Sequence, residues 1–257
     1  ATQMAATYER GMKMVQSETG TSAKQMGVFS DQVKALSIAT GIGTTDITNG
    51  LYDVLSASFK GKEAMQVLTL ATKDSVIGMT DAKITANALT VVLRAFSVPA
   101  KDFVAVNGEM QRTVTAGKMS MAQYASAVSK TSSVAVQYHD TMEDMNAIMA
   151  TLTSNGIKNA NIAGTDYNNL LKVLNGNTKS VAEKSHALNP AFNENAFAAM
   201  DVAHKVSYLN SMIVTHGHNI AEVIGKQQNA AAAFTVLSQH AGDYATNLKN
   251  LSNQQKN

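Results

Sequence analysis

The chain has 257 residues, 45% hydrophobic and 16% charged, with 2 Pro, no Cys, no Trp and a formal net charge of +2. Such a length buries one large core or two modest ones. The absence of cysteine excludes a disulfide framework, a Cys-ligated zinc site and a Cys nucleophile. With charge nearly balanced there is no basic tract for phosphates or anionic lipid, so composition gives no case for nucleic-acid binding.

The longest mainly apolar run, Ala230–Leu237, is mostly alanine and far short of the ~20 residues of a membrane span. Residues 1–20 carry Glu9, Arg10, Lys13 and Glu18 among apolar positions, the pattern of an amphipathic helix and not of a signal peptide. Ala1, Ala5, Tyr8, Met12 and Val15 there fall at heptad spacing, so a coil is expected to enter the domain. A first residue of Ala is expected of a chain processed or cut from a larger one. The polar surface is built from Ser, Thr, Asn and Gln more than from charge, as in chains that pack against other proteins.

The composition favours helix almost everywhere, and no sustained apolar/polar alternation marks a strand. The predicted class is all-α: an array of stacked helical hairpins followed by a long coiled-coil-like helix or a helical hairpin. Three segments are expected, an N-terminal amphipathic helix over 1–20, a hairpin core over 21–190 and a heptad-bearing segment over 191–257. In the core, Gly41, Gly78, Gly117 and Gly156 end apolar-periodic stretches at spacings of 37, 39 and 39. Thr44, Thr80 and Ser120 follow three of them as capping hydroxyls. Between the glycines the pattern predicts helix pairs over 44–59 with 62–77, 80–97 with 100–115, and 120–137 with 140–155. Their stripes are Ile47, Leu51, Val54 and Leu55; Ile84, Ala88, Val91, Val92 and Ala95; then Met142, Met145, Met149 and Leu152. Each is too narrow to be covered within one hairpin, so neighbours must stack. Pro99 suits the start of a helix, and Pro190 closes the array.

Beyond Pro190 the period becomes 3.5. Ala199, Val202, Val206, Leu209, Ile213, His216, Ile220, Val223, Gln227, Ala230, Phe234, Leu237, Ala241, Tyr244, Leu248 and Leu251 follow alternating threes and fours, and all but His216 and Gln227 are apolar. Such a seam predicts a left-handed coiled coil, an oligomerisation rod of roughly 80 Å. A polar residue in a seam fixes register at some cost in stability. The competing expectation is a fold-back at Thr215–Asn219, where Gly217, Asn219 and Glu222 resemble a helix stop followed by an N-cap.

Candidate chemistry is sparse. His216 and His218, at i and i+2, point to opposite sides of a helix and could share a metal only from a loop. Asp140, Glu143 and Asp144 read as acids favouring a helix N-terminus. Thr40–Thr45 is glycine-rich but lacks the P-loop lysine and the third glycine of a dinucleotide fingerprint. No Gly-x-Ser-x-Gly elbow or Ser/His/Asp set can be assembled. Met110, Met119, Met121, Met142, Met145 and Met149 read as core filler, the alternative being a promiscuous docking surface. The expectation is no catalytic residue, no cofactor and no metal.

One stretch is familiar. Ala150–Lys158, ending Gly156-Ile157-Lys158, is followed by Ala163-Gly164-Thr165 and then Leu170-Leu171-Lys172-Val173-Leu174. Upstream stand Thr40-Gly41 with Asp46-Ile47, Met79-Thr80-Asp81, and Gly117-Lys118-Met119-Ser120 with Ala127-Val128. In this order and spacing, residues 31–175 resemble the core region of bacteriophage tail tape measure proteins. Asn159 departs from a glycine-like position, and Tyr167-Asn168 replace an expected Leu-Arg. The resemblance implies a non-enzymatic tail assembly protein that templates tube length and leaves on genome ejection. It further implies self-association as a trimer or hexamer, tail tube and tail tip or baseplate proteins as partners, and a place in the virion tail. Alternative expectations are a helical scaffold or adaptor outside phage and, remotely, a cell-wall-degrading module. Even wholly helical, the chain reaches only about 390 Å, so it is expected to be part of a longer ruler.

Overall fold

The computed structural model describes residues 2–176, 178–225 and 227–252, all helix, turn or loop with no strand among them. Ala1 of the N-terminal heptad pattern lies outside the described residues. The chain divides into two compact units, one of residues up to Gln111 with Ser120–Ala125, the other of Arg112–Met119 with Ser126 onward.

The first unit holds α1 (Thr2–Thr19), α2 (Ala23–Thr40), α3 (Thr44–Ser56), α4 (Gly61–Ile77), α5 (Ala82–Ala95) and most of α6 (Phe103–Ala116), which a 3-10 turn at Ala100–Asp102 precedes. Helices α3 to α6 lie close to where the glycine rhythm predicts them. Helix α3 packs on α1, α4 and α5, and α4 on α2 and α5, burying Ile47, Leu51, Val54, Leu68, Leu89 and Val92. Hairpins are joined by a shared cap: Asp46, in the first turn of α3, accepts the Ala82 N–H of α5 at 3.0 Å. Helix α1 is held through Met12 and Val15.

Turn conformation accounts for Gly41 (φ 76°) and Gly156 (φ 146°) but not for the other two glycines of the rhythm. Gly41 is left-handed (φ 76°), but Gly78 has φ −83°, and the left-handed residues after it and after Gly117 are Met79 (45°) and Lys118 (51°). Ser58, Ser97 and His139 adopt the same conformation; Ser58 and Ser97 are 39 residues apart, as are Met79 and Lys118. Each sits within a Schellman closure: Phe59 N–H to Val54 O (3.3 Å), Thr80 to Ser75 (3.0 Å), Val98 to Leu93 (2.9 Å), Met119 to Val114 (3.1 Å) and Asp140 to Ala135 (2.9 Å). Glycine at 78 and 117 instead permits close approach. A Cβ at Gly78 would lie 3.1 Å from Met121 Cβ, and one at Gly117 would lie 2.5 Å from Thr153 Oγ1. Of the expected capping hydroxyls only Ser120 caps, its Oγ accepting from Gln123 N and the Gln123 side chain answering to Ser120 N. Gly43 and Asp81 take the N-cap positions of α3 and α5.

The second unit holds the rest of α7 (Met121–Gln137), then α8 (Met142–Ser154), α9 (Ala160–Leu171), a π-helical turn at Lys172–Gly176, α10 (Thr178–Leu188), α11 (Glu194–Ala198), α12 (Val202–His216), α13 (Ile220–Ile224), α14 (Gln228–Gln239) and α15 (Ala241–Ser252). Helix α8 is central, touching α9, α14 and α15, with α14 also laid on α9. Met110 in the first unit, and Met119, Met142, Met145 and Met149 in the second, are buried filler, as is Met121.

The expected single rod over 199–251 is corrected here: that stretch is four helices. Gly217 (φ 71°) ends α12, with the His218 N–H on Ile213 O at 2.9 Å. Asn219 and Glu222 then form a capping box, and Gly225 (φ 71°) ends α13. The fold-back alternative located the first of these breaks. Stop and start signals that satisfy helix-end groups locally outrank the 3.5 period, which only says which side of each helix is apolar.

Candidate functional site: a buried carboxylate and phenol cluster

In the second unit the turn after α7 carries Asp140 inward, so that it is 6% exposed. It was expected, with Glu143 and Asp144, to be an acid of the α8 first turn, and that reading is corrected. Thr141 is the N-cap of α8, its Oγ1 accepting from Asp144 N at 3.0 Å and donating to Asp144 Oδ2 at 2.6 Å. Only Glu143 and Asp144 occupy the first turn. Asp140 instead accepts from the Tyr167 hydroxyl of α9, a side chain with no exposed surface. Tyr244 of α15 donates to Asp144 Oδ1 at 2.7 Å. From α12 comes Lys205, 3% exposed, whose ammonium donates to Asn175 and lies 5.7 Å from the Phe197 ring centre. Asp201, the N-cap of α12, is held by His204 N–H at 2.8 Å.

The electrostatics follow from burial. Loss of water pushes the Asp140 carboxyl up to about 7; Asp144 and Asp201 push the same way, while the Tyr167 hydroxyl and Lys205 pull it down. Burial also raises Tyr167 and Tyr244, so both phenols keep their protons, and it lowers Lys205 against the pull of Asp140 and Asp201. The cluster can therefore take up or give up one proton near neutrality, at Asp140, while tying α8, α9, α12 and α15 together. No three His, Asp or Glu among the described residues are placed to hold a metal.

The sequence-predicted residues are spread over the second unit. Of the seam, Val202, Val206, Leu209, Ile213, Val223, Phe234 and Leu237 are buried against the chain's own helices. Ile220, Tyr244 and Leu248 are half-buried, and His216 and Gln227 are exposed. His218 pairs with Glu222 at 2.8 Å, away from His216 in role. In the tape-measure-like motif, Ile157 N–H closes α8 on Leu152 O at 2.9 Å, and Gly156 and Ile157 line an open apolar groove of about 490 Å³ with Ala231, Ala232, Thr235 and Val236 of α14. Lys158 is exposed. Gly164 lets α9 approach α7, where a Cβ would lie 3.1 Å from Thr131 Cγ2; Thr165 bonds its own helix at Asn161 O. Both departures from the motif have structural work: Asn159 caps α9, and Tyr167 is the donor to Asp140. Sequence reasoning missed the Asp140–Tyr167 pair. An acid one residue before the N-cap Thr141 was the available signal, and it points equally to solvent.

Helices paired at a spacing of 39 residues or so, with no strand among the described residues, define an all-α protein. The chain belongs to the phage-related minor tail protein family, which it matches over residues 30–257; it is a phage tail protein. No curated protein and no solved structure matches it. No helix among the described residues is long and apolar enough to cross a membrane.

Proposed function

We propose that this chain is a segment of a tail tape measure protein, a structural, non-enzymatic component that templates tail tube length inside the virion and leaves with the genome. The observation that carries the reading is membership of the minor tail family over residues 30–257, joined to the tape-measure-like motifs from Thr40 to Leu174. Helical repeats suit a ruler because contour length scales with residue number, at 1.5 Å per helical residue. The low charge suits contact with tube, tip or baseplate proteins that must later release, since few ion pairs oppose departure. Self-association belongs to the same proposal. The reading takes no support from a rod over 199–251.

The test is tail length in phage carrying altered copies of the gene, measured by electron microscopy. Deleting residues 44–77 is expected to shorten tails by about 50 Å, and duplicating residues 80–117 to lengthen them by about 60 Å, at the helical rise. Tails of unaltered length in both phages would exclude length templating by this region.

A further inference from the structure

The knot around Asp140 contains a lysine that is not spent on a carboxylate. Lys205 is 3% exposed, and its ammonium donates to the side-chain oxygen of Asn175, a neutral acceptor. It is paired with no carboxylate among the described residues, although Asp140 and Asp201 both act on it. Asp140, 6% exposed, meanwhile accepts from the Tyr167 hydroxyl. One phenol donor suits a protonated carboxyl, whereas an ionised one has two oxygens to satisfy. A buried ammonium and a buried carboxyl in one knot, each bonded elsewhere, is an arrangement that holds while the carboxyl is neutral.

The neutral acceptor has a special place. Asn175 stands in the π-helical turn Lys172–Gly176 that follows α9. Its Nδ2 donates to Leu171 O at 3.1 Å, and its Oδ1 takes the Lys205 ammonium arriving from α12. The turn sends Val173 and Leu174 into the core. π-helical turns are rare and are frequent at functional sites.

The groups facing Asp140 are Asp144 of α8, Tyr167 of α9, Asp201 and Lys205 of α12 and Tyr244 of α15. Of these Lys205 is the cation. Helix α14, also packed on α8, carries no titratable residue. His139 beside Asp140 is exposed, and His204 is bound to Asp201. A lysine exchanges acceptors by rotations within its four-carbon stem, so its helix can stay in place.

We infer that Lys205 is a two-position switch: with Asp140 protonated its ammonium rests on Asn175 and pins the π-helical turn, and with Asp140 ionised it crosses to Asp140 and releases the turn. Asn175 then loses a charge-assisted donor, and residues 172–176 open more readily. The fold thereby converts one proton at the α7–α8 turn into a change of order at the end of α9. The inference rests on no part of the tape measure reading, and either can fail alone.

The experiment follows the Asn175 side-chain amide and the Lys205 Cε by NMR in the 257-residue chain, between about pH 5 and 8. Both signals are expected to move together with a midpoint at about 7, and amide protection over 173–176 to fall about tenfold above it, after allowance for intrinsic exchange. Asp140→Asn is expected to hold both signals at their low-pH positions throughout. Lys205→Met keeps an unbranched side chain; there Asp140 should still titrate, at higher pH, while the turn is weakly protected at every pH. Where Asp140→Asn does not fold, the parent and Lys205→Met decide the matter. An Asn175 amide that stays put across the range, a midpoint that survives Asp140→Asn, or a turn still pH-dependent in Lys205→Met would each overturn the inference.

Discussion

Among the described residues the first unit buries Asp74 and Glu109 and the second Asp140 and Asp166, and Asp74 and Asp140 are buried in different company. In the first unit Asp74 of α4 is 2% exposed and accepts from two amides of one helix, Asn107 Nδ2 at 3.1 Å and the Gln111 side chain, both on α6. Burial raises it to about 6 while those two bonds pull it down. In the second unit Asp140 is raised to about 7, among phenols, a lysine and two further carboxylates drawn from four helices. Neutral dipoles from one neighbour make a local joint. Charges and hydroxyls from several elements make a knot whose protonation is felt across the unit.

The largest expected effect is on pH dependence. Both carboxyls hold a proton more tightly folded than unfolded, so each contribution is full below the unfolded value near 3.8 and is lost as pH rises through the folded value. For Asp140 the window runs from about 4 to 7 and is worth on the order of 4 kcal/mol; for Asp74 it runs from about 4 to 6 and is worth on the order of 3 kcal/mol. Denaturant melts across that range should lose stability with rising pH, and Asp140→Asn should remove the part of the slope above pH 6. An unchanged slope in that variant would erase the distinction between the two sites.

Tyr167→Phe is next. It removes the donor to a buried acceptor and should cost about 1–3 kcal/mol above neutral pH, where Asp140 is charged. Carboxyl titration followed by NMR should show Asp140 moving further up, since the hydroxyl pulls it down. Asn107→Ala should raise Asp74 in the same way while leaving Asp140 in place; movement of both would mean that the carboxyls are coupled.

The smallest effect lies in the turns. Ser97→Gly relieves a left-handed non-glycine residue and should stabilise by about 0.5–1 kcal/mol, with no change in either carboxyl titration. A loss of stability there would show that the Ser97 side chain supplies more than its backbone costs.

The hairpins over 44–155 were legible because their signals are local: glycine where helices touch, a cap at Ser120, apolar stripes at Ile47 and Met142. Gly117 was read as a boundary, but not why glycine stands there: a side chain would meet Met119 Cε and Thr153 Oγ1, the latter 36 residues on in the sequence. The seam picked out the apolar face of α12 and α14, but that face is covered by the chain's own helices and not, as expected, by another copy. Its continuity was not decided by the same pattern, because periodicity is blind to the caps at Gly217 and Asn219.

The sequence by itself determined helix, the 39-residue rhythm, the buried face of α3, α8, α12 and α14 and the likeness to phage tail proteins, because each is written in side chains a few positions apart. Only the tertiary structure decided that Asp140 leaves water, that Tyr167 meets it, and that α15 returns to α8 through Tyr244. Those contacts join residues 27 and 100 positions apart, and the energy that shifts a buried carboxyl comes from what closes around it.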